Sequence, residues 1–227
     1  MLGLVNYPEI PIGTAPANER DCPPQLIVLF GGMADSINGN VGRDLIPMVK
    51  TDYPKAQIAY YYWRFLRSSS AEISNVISKF SRKCLCTQVI LIGHSFGGST
   101  AAEVVAQLGN DLCKKPILVT LDAVGTMAYP PAKDQMSYWY NVYVPKGPAD
   151  VTSGISGVTS VVGLTVGWMN FNLPDWVASM GGKWGAEDGA ANTSLDKISD
   201  TRNHAYANKI YDLINEELKN HGAEENY

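Results

Sequence analysis

The sequence predicts an α/β domain built around a parallel sheet, and three observations carry that prediction. Short, continuous apolar runs recur along the chain, as they do in strands buried on both faces. Stretches with helical spacing alternate with those runs, the pattern of right-handed crossover units. The composition agrees: 45% of the 227 residues are hydrophobic and 18% are charged, the balance of a globular chain with a substantial core.

In chain order, residues 1–24 are rich in Pro, Gly, Asn and Ala without periodicity, and predict an irregular N-terminal arm. Gln25-Leu26-Ile27-Val28-Leu29-Phe30 is the first strand, stopped by Gly31-Gly32. Leu45, Ile46 and Val49 have helix-like spacing and precede a second strand from Ala56 to Tyr62. Ile73, Val76, Ile77 and Phe80 predict a helix after a serine cluster, Ser68-Ser69-Ser70, able to cap it. The third strand is Gln88–Ile92, and the helix after it spans 96–108, closed by Gly109. Pro116–Leu121 and the aromatic run Tyr138–Val144 are the fourth and fifth strands. A last helix runs from about Asn203 to Leu218, with Tyr206, Ile210, Leu213, Ile214 and Leu218 on one face. No internal repeat or linker divides the chain, so 25–227 reads as one domain.

The segment from Val151 to Pro174 breaks the rhythm, because it carries no charge and no histidine. It has the length of a membrane span, but its glycines and hydroxyls favour an apolar flap over a site or an ordinary buried excursion. A lid or insertion is therefore expected at about 147–200, with contact to a membrane surface through 151–174.

Eighteen Lys and Arg against 22 Asp and Glu give a net charge of −4. Without a basic footprint the chain is neither a nucleic-acid binder nor a polybasic membrane anchor. The N-terminus has no basic stretch and no long apolar core, so no secretory signal is expected, and the protein is either cytoplasmic or exported by a leaderless route. Four cysteines (Cys22, Cys84, Cys86, Cys113) are irregularly spaced. Reduced structural thiols are the expectation, with one disulfide left open for a protein working outside the cytoplasm. No dinucleotide fingerprint, P-loop or His–Glu–His set is present, so neither cofactor nor metal is expected.

The sharpest signal is Gly93-His94-Ser95-Phe96-Gly97, placed between a strand and a helix. A G-x-S-x-G in that context is a nucleophile elbow. The sharp turn lifts the Ser95 hydroxyl clear of the sheet, and the backbone N–H of Phe96 faces the point where an oxyanion would form. A serine needs a base, and the chain has three histidines. His94 lies within the elbow and His221 in a polar tail, which leaves His204. Asp122 closes the fourth strand and would orient the imidazole. Asp150, after the fifth strand, is its rival, and Asp175 and Asp188 are weaker candidates. The second oxyanion donor should come from the loop leaving the first strand, Met33 first and Gly32 next.

These motifs resemble the α/β-hydrolase superfamily of serine lipases and esterases, over roughly residues 25–218. The resemblance implies a three-layer fold in its minimal, cutinase-sized version. An acid after the fourth strand departs from the commonest placement in that superfamily, and this keeps Asp150 open. Five parallel strands in this chain order would stack as 2-1-3-4-5 with helices on both faces. Crossover direction then reverses beside the first strand, where ligand crevices form, and Gly31-Gly32 and Ser95 flank that point.

A cofactor-free serine esterase acting on lipid acyl esters is the leading expectation. A thioesterase or small-ester esterase is an alternative, as is a leaderless lipase effector neutralised by a partner protein. A non-catalytic binding domain is disfavoured by the intact Ser95, Asp122 and His204. The tyrosine-rich runs Tyr60–Trp63 and Tyr138–Tyr140 read as core more readily than as an acyl pocket.

Overall fold

The computed structural model describes residues 7–32, 35, 39–62, 68–109, 112–121, 123, 131, 133–143, 191–194, 211, 215–216 and 218–219. Among the described residues six strands form one sheet: β1 (Gln25–Gly31), β2 (Gln57–Tyr62), β3 (Gln88–His94), β4 (Ile117–Leu121), β5 (Tyr138–Tyr143) and β6 (Ala191–Ser194). Their spatial order is β2-β1-β3-β4-β5-β6, and each neighbouring pair is parallel. The five strands expected from the sequence thus stand in the order 2-1-3-4-5. A sixth extends the sheet, within the segment expected to be an insertion. Its sequence, Ala-Asn-Thr-Ser, offers neither an apolar run nor alternation, so nothing local announced it. Residues 144–190, including the apolar segment 151–174, lie outside the described residues.

Side chains alternate across the sheet as strand geometry requires. On one face Ile27, Leu29, Ile90, Ile92 and Val119 pack with Ile46 and Val49 of helix α1 (Ile46–Asp52), and with Tyr211 and Leu218. On the other, Leu26, Val28, Phe30 and Leu91 pack with helices α2 (Ser68–Ser81) and α3 (Phe96–Leu108). The result is three layers, with β3 buried along its whole length. A π-helical segment, Asn40–Leu45, runs directly into α1.

The N-terminal arm is irregular from Tyr7, apart from one 3₁₀ turn at Glu19–Asp21. It bridges to the outer edge of the sheet, where Ile10 and Tyr60 exchange backbone hydrogen bonds of 2.8 and 2.7 Å. An otherwise open strand edge is thereby covered. The arm is also covalently fastened. Cys22 and Cys84 form a disulfide with a Cα–Cα distance of 5.6 Å, within the usual range. This corrects the expectation of reduced thiols throughout; spacing alone does not reveal that these two residues meet just before β1 and β3. Cys86 and Cys113 are free and exposed.

Candidate active site

Ser95 stands between β3 and α3 with φ 55° and ψ −127°. It is the one non-glycine residue with positive φ among the described residues. Such backbone costs on the order of 1–3 kcal/mol and persists only where its surroundings enforce it. Here the Ser95 N–H donates to the Leu121 carbonyl at 3.1 Å, and the Ser95 carbonyl accepts from Gly98 N–H at 2.9 Å. A serine beginning a helix ordinarily turns its hydroxyl back to cap it. Ser95 makes no such capping bond.

Packing explains the glycines. A β-carbon on Gly93 would lie 2.6 Å from the Gly97 carbonyl carbon and from Gly98 Cα. One on Gly97 would lie 2.6 Å from the Phe30 carbonyl carbon and 2.8 Å from the Gly31 oxygen. Neither is sterically tolerable, so the start of α3 comes as close to the end of β1 as backbone allows. Gly32 then faces the serine itself: a β-carbon there would sit 2.8 Å from Ser95 Cβ and 3.2 Å from its Oγ. The two sequence-predicted loops therefore meet, at the switch point between β1 and β3. Phe96 opens α3, so its amide belongs to the helix N-terminus, where N–H groups lack intrahelical acceptors.

Met33, Asp122 and His204 lie outside the described residues, as do Asp150, Asp175, Asp188 and His221. The elements next to them in sequence are described. His94 is opposite Leu121 in the β3–β4 register, so β4 ends level with the elbow, one residue before Asp122. β6 is parallel to the rest and ends on the same edge. His204 follows it in sequence and precedes Tyr211, which is helical and buried against α1. The Tyr211 hydroxyl donates to Asp52 at 3.3 Å, and Lys219 pairs with Asp52 at 2.9 Å.

The aromatic runs divide. Tyr60, Trp139 and Tyr140 are buried core. Tyr61 and Tyr62, with Phe30, Ile73, Val76 and Thr100, line a cavity of about 150 Å³ between β1, β2, α2 and α3, with Glu9 and Glu72 also in its wall. Among the described residues no His, Cys, Asp or Glu cluster could hold a metal, and no helix is long and apolar enough to cross a membrane.

Asp35 was not singled out from the sequence. It is 3% exposed and helical, three residues beyond Gly32. Its Oδ1 accepts from the Val41 N–H at 2.8 Å, and its Oδ2 accepts from the Tyr60 hydroxyl. Burial pushes its carboxyl above the ordinary value of 3.8, against the opposing pull of Tyr60 and of the amides of Val41, Gly42 and Asn40. Burial, with the Asp35 charge behind it, likewise raises the Tyr60 phenol. An acid just after a Gly-Gly strand end, followed by the apolar Ile37 and Val41, was the available signal.

No protein-family model and no curated protein matches the chain. Among solved structures, an iodinated complex of acetyl xylan esterase is similar to it, at 14% identity and a TM-score of 0.31. That match covers 54% of this chain and 63% of the other, less than two thirds of the latter's length.

Proposed function

We propose that this chain is a serine hydrolase that cleaves carboxylic esters, with lipid acyl esters as its substrates. The observation that carries the reading is the backbone of Ser95, held at positive φ between β3 and α3 by glycines with no room for a β-carbon. An energetically costly turn that presents a hydroxyl and does not use it as a cap is what a nucleophile elbow requires. In this reading His204 takes the proton from Ser95 Oγ as the oxygen attacks the ester carbonyl. Asp122 holds the imidazole in the required tautomer and stabilises its cation. The amides of Phe96 and Met33, with Gly32 beside them, stabilise the tetrahedral oxyanion. His204 returns the proton to the departing alcohol, and water then releases the acid from Ser95 by the same steps.

The lipid substrate is supported by the uncharged segment 151–174 between the fifth strand and His204, where it could cover the acyl chain. The Cys22–Cys84 disulfide supports action in an oxidising compartment.

The test is labelling with a fluorophosphonate, followed by a p-nitrophenyl ester series from short to long acyl chains. Wild type should label, Ser95→Ala should not, and turnover should fall about a millionfold in that variant. Rates should rise with acyl length and at a lipid interface. Absence of labelling in the folded wild type would overturn the reading, and a flat chain-length profile would overturn the lipid assignment.

A further inference from the structure

We infer that Asp35 is a positioning residue: it holds the Gly31-Gly32 end of β1 against Ser95 without touching substrate. The inference rests on the hydrolase reading above and concerns how that site is kept in register. Four hydrogen bonds and one packing contact converge on Asp35. Its N–H donates to the Gly32 carbonyl at 3.2 Å, and its carbonyl accepts from Gly39 N–H at 2.7 Å, so both backbone groups are fixed. Its side chain lies under Gly31, where a β-carbon would come within 2.7 Å of Asp35 Cβ and Cγ. One carboxylate oxygen is bound by Val41, at the start of the segment leading into α1, and the other by Tyr60 of β2. A single side chain therefore joins the end of β1 to two other elements, and Gly32 carries that placement to Ser95.

Two physical points make this more than packing. Consecutive glycines have the largest conformational freedom to lose, so a strand end that closes on Gly31-Gly32 gains from external anchors. Stabilising an oxyanion demands donors fixed to about 0.5 Å, which such anchors help to meet. Moreover, a buried carboxyl costs stability unless its hydrogen bonds compensate, and an apolar side chain would fill the same space without that cost. A carboxylate accepts at both oxygens and can therefore grip two elements at once, which no apolar residue does.

The experiment compares wild type, Asp35→Ala, Asp35→Asn and Tyr60→Phe. For each, kcat and KM are measured on a p-nitrophenyl ester, together with the inhibition constant of an alkyl boronic acid, whose serine adduct is a tetrahedral anion. Thermal melting is recorded alongside. Asp35→Ala should lose about 100-fold in kcat with KM within roughly threefold, and boronate affinity should fall in parallel. Asp35→Asn should recover most of that loss, because its amide oxygen still accepts from Val41 and its NH₂ donates to Tyr60. Tyr60→Phe, which keeps one anchor of two, should lose about tenfold in the same two quantities. If Asp35→Ala does not fold, the Tyr60→Phe result decides by the same criterion. Variants that melt lower yet keep the wild-type kcat and boronate affinity would reduce Asp35 to a structural role and overturn the inference alone. A folded wild type that neither hydrolyses esters nor binds boronate would overturn the hydrolase reading, and the inference with it.

Discussion

Gly32 and Ser95 are packed so closely that a β-carbon on the glycine would fall 2.8 Å from the serine Cβ and 3.2 Å from its Oγ. The adjacent His94 carbonyl, at 3.3 Å, closes the other side. Gly32→Ala must therefore push the loop and the elbow apart. A displacement of this kind costs on the order of 100-fold in turnover, while overpacking lowers stability by only about 1–3 kcal/mol. The variant should remain folded by circular dichroism and lose most of the proposed esterase rate. Wild-type rates in Gly32→Ala would mean that the contact has no bearing on chemistry.

The positive φ of Ser95 separates stability from activity. Glycine adopts φ 55° without the steric penalty of a β-carbon, whereas alanine keeps that penalty. Ser95→Gly should be more stable than Ser95→Ala by about 1 kcal/mol, and both should be inactive. Urea unfolding of the two variants measures the difference directly. Equal midpoints would show that the turn stores no backbone strain.

How much of this was legible beforehand depends on whether a feature is local. The three central strands, β1, β3 and β4, were readable because each is buried on both faces and so appears as a nearly uninterrupted apolar run, as in Leu26–Phe30 and Val89–Ile92. The sharp turn at Ser95 was readable because its glycines are a steric requirement at fixed spacing around that residue. β6 was not, since Ala191–Ser194 owes its strand conformation to pairing with β5 rather than to any preference of its own. The Cys22–Cys84 bridge and the Asp35–Tyr60 bond were illegible for another reason. Each joins residues far apart in sequence, and only the stacking of β2 beside β1 and of β1 beside β3 brings them together.

The disulfide yields a prediction that leaves the site untouched. Cys22 and Cys84 are 62 positions apart and sit just ahead of β1 and β3, at the sheet edge opposite Ser95. Constraining the unfolded chain over a loop of that length contributes about 4 kcal/mol in the chain-entropy picture. The double variant Cys22→Ser/Cys84→Ser, or the reduced wild type, should lower the denaturant midpoint accordingly. Its kcat at a temperature where it remains folded should match that of the oxidised protein. A large change in kcat with the midpoint unmoved would contradict both halves of the prediction.

The last prediction concerns pH and follows from the sign of the Asp35 shift. Burial outweighs the hydrogen bonds from Tyr60 and the neighbouring amides, so the folded state holds the Asp35 proton more tightly than the unfolded chain does. The contribution is then fully present below the unfolded value near 3.8 and is lost as pH rises through the raised folded value. Asp35→Asn does not titrate and lacks this dependence. The stability of wild type relative to Asp35→Asn should accordingly fall as pH rises from about 3.5 and then level off. Urea midpoints of both proteins across that range supply the comparison, and a relative stability that climbs with pH would mean that the hydrogen bonds, not burial, set the carboxyl's pKa. A general-base histidine must be neutral to act, so the proposed catalysis rises with pH. The contribution of Asp35 to stability runs the other way with pH. A side chain retained against that trend is explained by what it positions, in keeping with the general trade of stability for a well-placed site.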